Sequence, residues 1–519
     1  MRLALNIDLV GDSILEPTST AQTRSANPFG RLLLLAALAI GIQGYHLGAD
    51  DAAIYVPGIK QAADPTLYPF GGEFFQSHAH LTLFPWIVGL SARLTHIPVD
   101  WAIFAAYALG TFLLALGGWR LMCACFESER ARWGGVVLLM GVLAVPVAGT
   151  ALPIMDPYVT SRTLSTPMTI LAIAAFLSGQ RKQALGWWIL TALIHPQMSM
   201  YVAVFLGFLV LRENRFASRV WGSHPTGLLL FAGLPFLWPL QPAQGPAADV
   251  LHAHTYFFIS KWEWYEWVGI AAPLAILWAW SNASPRGATA SFRVLTRTMV
   301  PFVALFTVGA IVLVLDPHLE NYTRLQPMRA LHLVYVIFFL LLGGLLGEYV
   351  LGWHLWRWLA LFIPLGVSMY LLQVSTFEHS DHVEWPTVSA ANTNSWVSAF
   401  LWVRANTPKD AVFALDPEYL LRPGEDLHGF RAIAERSVLA DALKDNGAVS
   451  LFPNLAEHWK AQVDSTRGWR KYQAADFNRL SYDFPVTWLV IESPVPFGVI
   501  CPYQNNAVSV CKMPVARSH

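Results

Sequence analysis

The alternation of apolar and polar positions divides the chain near residue 378. Before it, long apolar runs alternate with short polar loops. The first run covers residues 30 to 47 and is followed by a polar stretch, 48 to 100. Within that stretch His80–Leu94 is apolar but carries Pro85 and Arg93 and falls short of the roughly 20 residues a membrane-spanning helix needs. It predicts an interfacial or re-entrant helix inside a first outer loop. Spans are then predicted at Trp101–Met122, at Gly134–Pro153 and from Leu164 to Arg181. Two short apolar pieces, 184–194 and 198–211, flank His195-Pro196-Gln197 and predict a helical hairpin, with one Pro-kinked helix as the alternative. Further spans are predicted at 224–240, between the Trp262–Trp267 cluster and Arg286, out to Leu315, in to His354 and out to Phe377, about eleven in all.

Basic residues orient these runs. Arg24 and Arg31 flank the first helix, which puts the polar tail 1–29 in the cytoplasm and the 48–100 loop outside. Arg130 and Arg132, Arg181 and Lys182, the Arg212 cluster, and Arg286, Arg293 and Arg297 then fall on inner loops. Composition agrees with membrane residence: of 519 residues 55% are hydrophobic and 13% charged, with 22 Trp and 30 Phe. The tail has no apolar run followed by a small-residue cleavage site, so no cleaved signal peptide is expected. Zero formal net charge points away from nucleic acid as a partner.

From 378 to 519 the pattern changes to short buried-strand runs. Val412–Leu415, Val438–Ala440, Trp488–Ile491 and Val508–Cys511 read as strands, with helices near 393–405, 454–463 and 471–480. The expected unit is a small α/β domain outside the membrane. Gln504-Asn505-Asn506 reads as a hairpin turn that brings Cys501 and Cys511 together as a disulfide, which suits an oxidising compartment. Cys123 and Cys125 read as apolar fillers at a helix end. The composition and the paired outer cysteines favour a bacterial inner membrane.

On this topology the outer face collects Asp50, Asp51, Glu73, His78, His80, Asp156, Arg162, His195, His252, His254, Lys261, Arg324 and Arg329. Carboxylates beside histidines suit general-base or metal-ligand roles, and cations suit the phosphate of a lipid headgroup. Together they point to group transfer from a lipid phosphate. The plainer reading of Asp50 and Asp51 is that they cap and solvate a helix end. No charge sits mid-span, which weighs against a transport path. No repeat, nucleotide-binding loop, zinc-type Cys/His spacing or GxSxG turn is present.

The layout of these features resembles the GT-C superfamily of polyprenyl-phosphate-dependent glycosyltransferases. The likeness rests on the acidic pair Asp50-Asp51 just after the first helix, the short helix before the second span, Asp156-Pro157 in the second outer loop, and the outer C-terminal domain. Two C-terminal stretches, Trp402 to Phe413 and Gly429 to Asp441, are similar to the outer domain of uncharacterised bacterial members. The resemblance implies transfer of a sugar from a polyprenyl-phosphate donor to a cell-envelope acceptor. It makes Asp50 or Asp51 the base or acceptor-binding carboxylate and Asp156 the second acidic residue. Tyr55, His78, His80, Arg162, Lys261, Arg324, Gln326 and Arg329 become candidates for binding substrate. GT-C members often use a divalent metal, but the second loop here has a single Asp where a pair is usual, so metal dependence stays open. A non-catalytic lipid-binding or scaffold protein is the alternative, and a transporter or flippase the third.

Overall fold

The computed structural model describes residues 27–213, 241–283, 285–387 and 393–513. The expected span at 224–240 and nearly all of the tail 1–29 lie outside the described residues. Among the described residues, four helical segments are long and apolar enough to cross a membrane: Val99–Cys125, Ala290–Leu315, Glu320–Leu351 and Leu355–Thr376. Phe29–Gln43, Ser161–Leu177 and Pro196–Arg212 are apolar but shorter. Leu355–Thr376 leaves Leu359, Ile363, Val367 and Leu371 uncovered, the apolar face a helix presents to lipid.

Glycines set how closely the helices approach. A Cβ on Gly134 would lie 2.3 Å from the Gly343 carbonyl oxygen, and one on Gly343 would lie 2.4 Å from that of Gly134. Glu129–Gly141 and Leu331–Leu346 therefore cross backbone to backbone, as small residues permit between membrane helices. Gly110 plays the same part against the Thr163 carbonyl, seating Val99–Cys125 on Ser161–Leu177. Ser161–Leu177 opens on a capping box between Thr160 and Thr163 and is buried from Ser161 to Phe176.

Two expectations about the membrane part are resolved here. Gly134–Pro153 is not one span, because its helix stops at Gly141. Pro146 lacks a donor and Val142, Val145 and Val147 favour extended backbone. The chain instead forms a two-residue hairpin of β1 (Pro146–Val147) and β2 (Leu152–Pro153). Arg181–Ile194 and Pro196–Glu213 are separate helices that fold back at His195, as the hairpin reading expects. The Trp188 indole donates to the Ser199 carbonyl at 3.0 Å, whereas 11 residues of continuous helix would hold them about 16 Å apart. Of the aromatic cluster, Trp264, Tyr265 and Trp267 are exposed, but Trp262 is core, packed against Gly149.

The C-terminal part is a mixed sheet in the order β4-β3-β5-β7-β6. β3 (Val412–Ala414) runs parallel to β4 (Ser437–Val438) and β5 (Trp488–Glu492). β7 (Val508–Lys512) pairs antiparallel with β5 and with β6 (Tyr503–Gln504), and the expected Cys501–Cys511 disulfide joins the second hairpin. Alternation along β5 sends Val490 to a core with Phe400, Phe413 and Phe430, and Leu489 and Ile491 to one with Trp469 and Phe477. The sheet is thus covered on both faces.

This domain and the 48–100 loop are built into each other. Lys60, fully buried, pairs with Asp100 at 2.8 Å and Glu435 at 2.9 Å, and Arg404 bridges the same two carboxylates. The Gly429 amide donates to the Gly48 carbonyl at 2.9 Å, and a Cβ on Gly429 would meet that of Ala53 at 2.4 Å.

Candidate functional site

The acidic pair sits at this seam. Asp50 has a left-handed backbone, φ 50°, a conformation Asp tolerates, and its amide donates to the Leu427 carbonyl at 2.8 Å. The Ala52–Ala63 helix begins directly after Asp51, so the backbone there is held from both sides. Neither carboxylate is a free cap. The Lys444 ammonium, on the Lys444–Leu451 helix, forms an ion pair with Asp50 and lies 3.2 Å from Asp51. Tyr158 donates its hydroxyl proton to Asp50 at 2.9 Å. Arg162, in the first turn of the Ser161–Leu177 helix, reaches Asp51 at 3.0 Å and Asp156 at 2.9 Å, and Thr160 adds a hydrogen bond to Asp156 at 3.2 Å. Asp50, Asp51, Asp156 and Arg162 therefore form one network, in which both adjacent carboxylates are partly buried and engaged.

The electrostatics separate the two loops' acids. Burial would raise the Asp51 carboxyl, but Lys444, Arg162 and Arg329 override it and hold it well below the usual carboxylate range. Burial pushes the Asp156 carboxyl up, with only Arg162 opposing and Asp51 adding to the rise. For Lys444 burial works against the charge, and Asp51 and Asp50 more than restore it, raising its pKa. Burial lowers His78 to about 4 against the pull of Asp51, and its Nδ1 is shielded with no hydrogen-bond partner. The His78 ring stands edge-on to Tyr55, 6.1 Å between centroids. Arg329 sits over the Tyr256 ring at 5.7 Å, its Nε buried, and its guanidinium has no hydrogen bond or ion pair among the described residues.

The remaining expected residues do not join this group. Lys261 and His80 are exposed, and nothing among the described residues bonds either to the carboxylates. The charge nearest Arg324 is Glu320, and the Arg324 Nε is buried without a partner. Gln326 is buried with its side-chain oxygen unpartnered, while its carbonyl accepts from Tyr201 at 2.8 Å. Lys444, Tyr158 and Tyr256 were not among the expected site residues. Tyr158 directly follows Asp156-Pro157, whereas Lys444 is 394 residues from Asp50 and only long-range contact information would have found it. Its neighbours Arg431, Asp441 and Asp445 are buried, with Arg431 paired to Asp445 at 2.8 Å.

Beside this network lies a second cluster, His46, Glu384 and His428, all buried. No protein-family model matches the chain, and no curated protein matches it.

Proposed function

We propose that the protein is a multi-pass membrane group transferase of the GT-C kind, moving a sugar from a polyprenyl-phosphate donor to a cell-envelope acceptor. On this reading the membrane part crosses repeatedly, with Glu129–Gly141 and the extended stretch after it in place of a single span at Gly134–Pro153. The N-terminus is cytoplasmic and the C-terminal domain lies on the outer face of a bacterial inner membrane. The observation that carries the proposal is that an acid pair, a shielded neutral imidazole and a guanidinium with no hydrogen bond or ion pair among the described residues meet where the outer domain closes on the membrane part.

Each group has a task in that chemistry. Asp51, held ionised by two bonded cations, accepts a hydrogen bond from the acceptor hydroxyl and aims its oxygen at the anomeric carbon. Arg329, with no bonded partner among the described residues, takes the donor phosphate. The new bond forms from the acceptor oxygen to the anomeric carbon, the bond to the lipid phosphate oxygen breaks, and the hydroxyl proton passes by way of Asp51 to the departing phosphate. Charge accumulating on that leaving phosphate is what Arg329 stabilises. Asp156, pushed toward its protonated form, keeps Arg162 in place.

One observation favours a second reading. Asp50 and Asp51 are already ion-paired with Lys444 and Arg162, the arrangement of a structural clamp in a lipid-binding scaffold. Turnover separates the two. Purified protein given a polyprenyl-phosphate-linked sugar should release lipid phosphate, and an Asp50→Asn/Asp51→Asn double variant should lose at least about 100-fold in rate. Equal rates in wild type and variant, or no release by either, would favour the scaffold.

A further inference from the structure

His46, Glu384 and His428 reach one point from three distant stretches of chain. His46 follows the first helix, Glu384 lies in the connector after the last membrane-length helix, and His428 belongs to the outer domain. One nitrogen or oxygen of each lies within 4.8 Å of the others. His428 Nε2 is 2.7 Å from Glu384 Oε1, and His46 Nδ1 is 3.5 Å from the same oxygen. The Glu425 carbonyl, 3.0 Å from His428 Nδ1, fixes that ring so that Nε2 points inward. The Leu47 amide donates to Glu384 Oε2 at 2.8 Å, leaving Oε1 for the centre. His46 is stacked on Phe377 with centroids 3.8 Å apart.

A His428–Glu384 ion pair accounts for two of these residues but leaves His46 unexplained. Its side chain is fully buried, yet among the described residues neither ring nitrogen has a well-formed hydrogen bond, the nearest approach being the 3.5 Å from Nδ1 to Glu384. Buried polar groups are ordinarily satisfied, so an orphan imidazole aimed at a carboxylate indicates a missing ligand. We propose that His46, Glu384 and His428 bind a divalent transition-metal ion of the zinc class, which clamps the outer domain to the membrane part.

The donor set and spacing suit that ion. Two imidazoles and a carboxylate match zinc, and metal–ligand bonds of about 2.0–2.1 Å put tetrahedral ligand atoms about 3.3 Å apart. The His46–Glu384 separation is already close to that value. The His428–Glu384 separation needs to open by about 0.6 Å, with a water completing the coordination. A backbone carbonyl on the far nitrogen of His428 is the usual outer partner of a ligating imidazole. Because all three side chains are buried, the role is structural. This inference is independent of the proposed transferase activity.

The test uses the full-length chain in detergent with a tag free of histidine. After dialysis against a weak chelator, metal analysis should find about one zinc per chain, and cobalt substitution should give visible d–d absorption of a low-coordinate site. His46→Asn and Glu384→Gln should each weaken zinc binding by at least about tenfold and abolish the cobalt bands. His379→Gln, in an exposed ion pair outside the cluster, should change neither. Since His46 makes no well-formed side-chain hydrogen bond among the described residues, its variant should fold. Wild-type protein that retains no zinc and shows no cobalt bands would overturn the proposal without reference to any variant. So would bands that persist in His46→Asn.

Discussion

At the scale of single residues, Lys444 decides whether two adjacent carboxylates can share a half-buried place. Removing its charge leaves Asp50 and Asp51 repelling each other with Arg162 as the remaining ion-pair partner. Lys444→Met should cost about 2–4 kcal/mol, less than a fully enclosed pair because Asp50 keeps about a third of its side chain in solvent. Adding Asp50→Asn should recover part of that loss in a double-mutant cycle of thermal or denaturant unfolding, and an additive double variant would contradict the pairing. His78 gives a second residue-level prediction. Burial favours its neutral form, so proton uptake opposes folding. The opposition is absent above the ordinary value of 6.5 and grows as pH falls toward about 4, so stability declines across that window. Imidazole resonances of labelled protein should show His78 unprotonated at pH 5.5. A midpoint near 6.5 would show that the ring is solvated.

At the scale of elements, glycine spacing controls the membrane part. Gly343→Val would push a side chain into the Gly134 carbonyl and the Leu138 side chain, and should destabilise the helix pair by several kcal/mol. Gly309→Val, whose added Cβ meets nothing within 4 Å, is the control and should unfold like wild type. Elements with strong local patterning were legible in the sequence. The runs at 412, 488 and 508 became β3, β5 and β7, and the helices near 393, 454 and 471 formed within a few residues of their expected ends. The expected strand at Val438–Ala440 pairs one residue earlier, at Ser437–Val438. Gly134–Pro153 misled because hydropathy does not distinguish apolar helix from apolar extended chain. The signal lay in Pro146 and its valine neighbours, whose stereochemistry outweighed an unbroken apolar run.

At the scale of the whole molecule, the C-terminal domain is held through buried charge. Lys60→Met would leave Asp100 and Glu435 buried with only Arg404 between them, a loss of about 3–5 kcal/mol. Limited proteolysis should then cut at the seam faster than in wild type, and an unchanged cleavage pattern would contradict the docking role. The same scale explains what the sequence could not reveal. Asp50, Asp51, Asp156 and Arg162 were identifiable because each stands at the end of an apolar run, where a charge is costly. Lys444, Glu384 and His428 looked like ordinary polar residues of a soluble domain. Their meaning comes from docking that local patterning does not encode. Lys261 and His80 satisfied the same sequence criterion as Arg329, and only the packing around them shows that they face solvent.

The central claim is that Arg329 and the acid pair form one site for a phosphate-headed lipid, with distinct roles. The most direct measurement is equilibrium binding of a polyprenyl phosphate to protein in lipid nanodiscs, comparing wild type, Arg329→Gln and Asp50→Asn/Asp51→Asn. The account predicts saturable binding that weakens about 10–100-fold in Arg329→Gln, the value of a charge-assisted contact, and persists in the double Asn variant. Binding that is absent in wild type, or equal in wild type and Arg329→Gln, would contradict it.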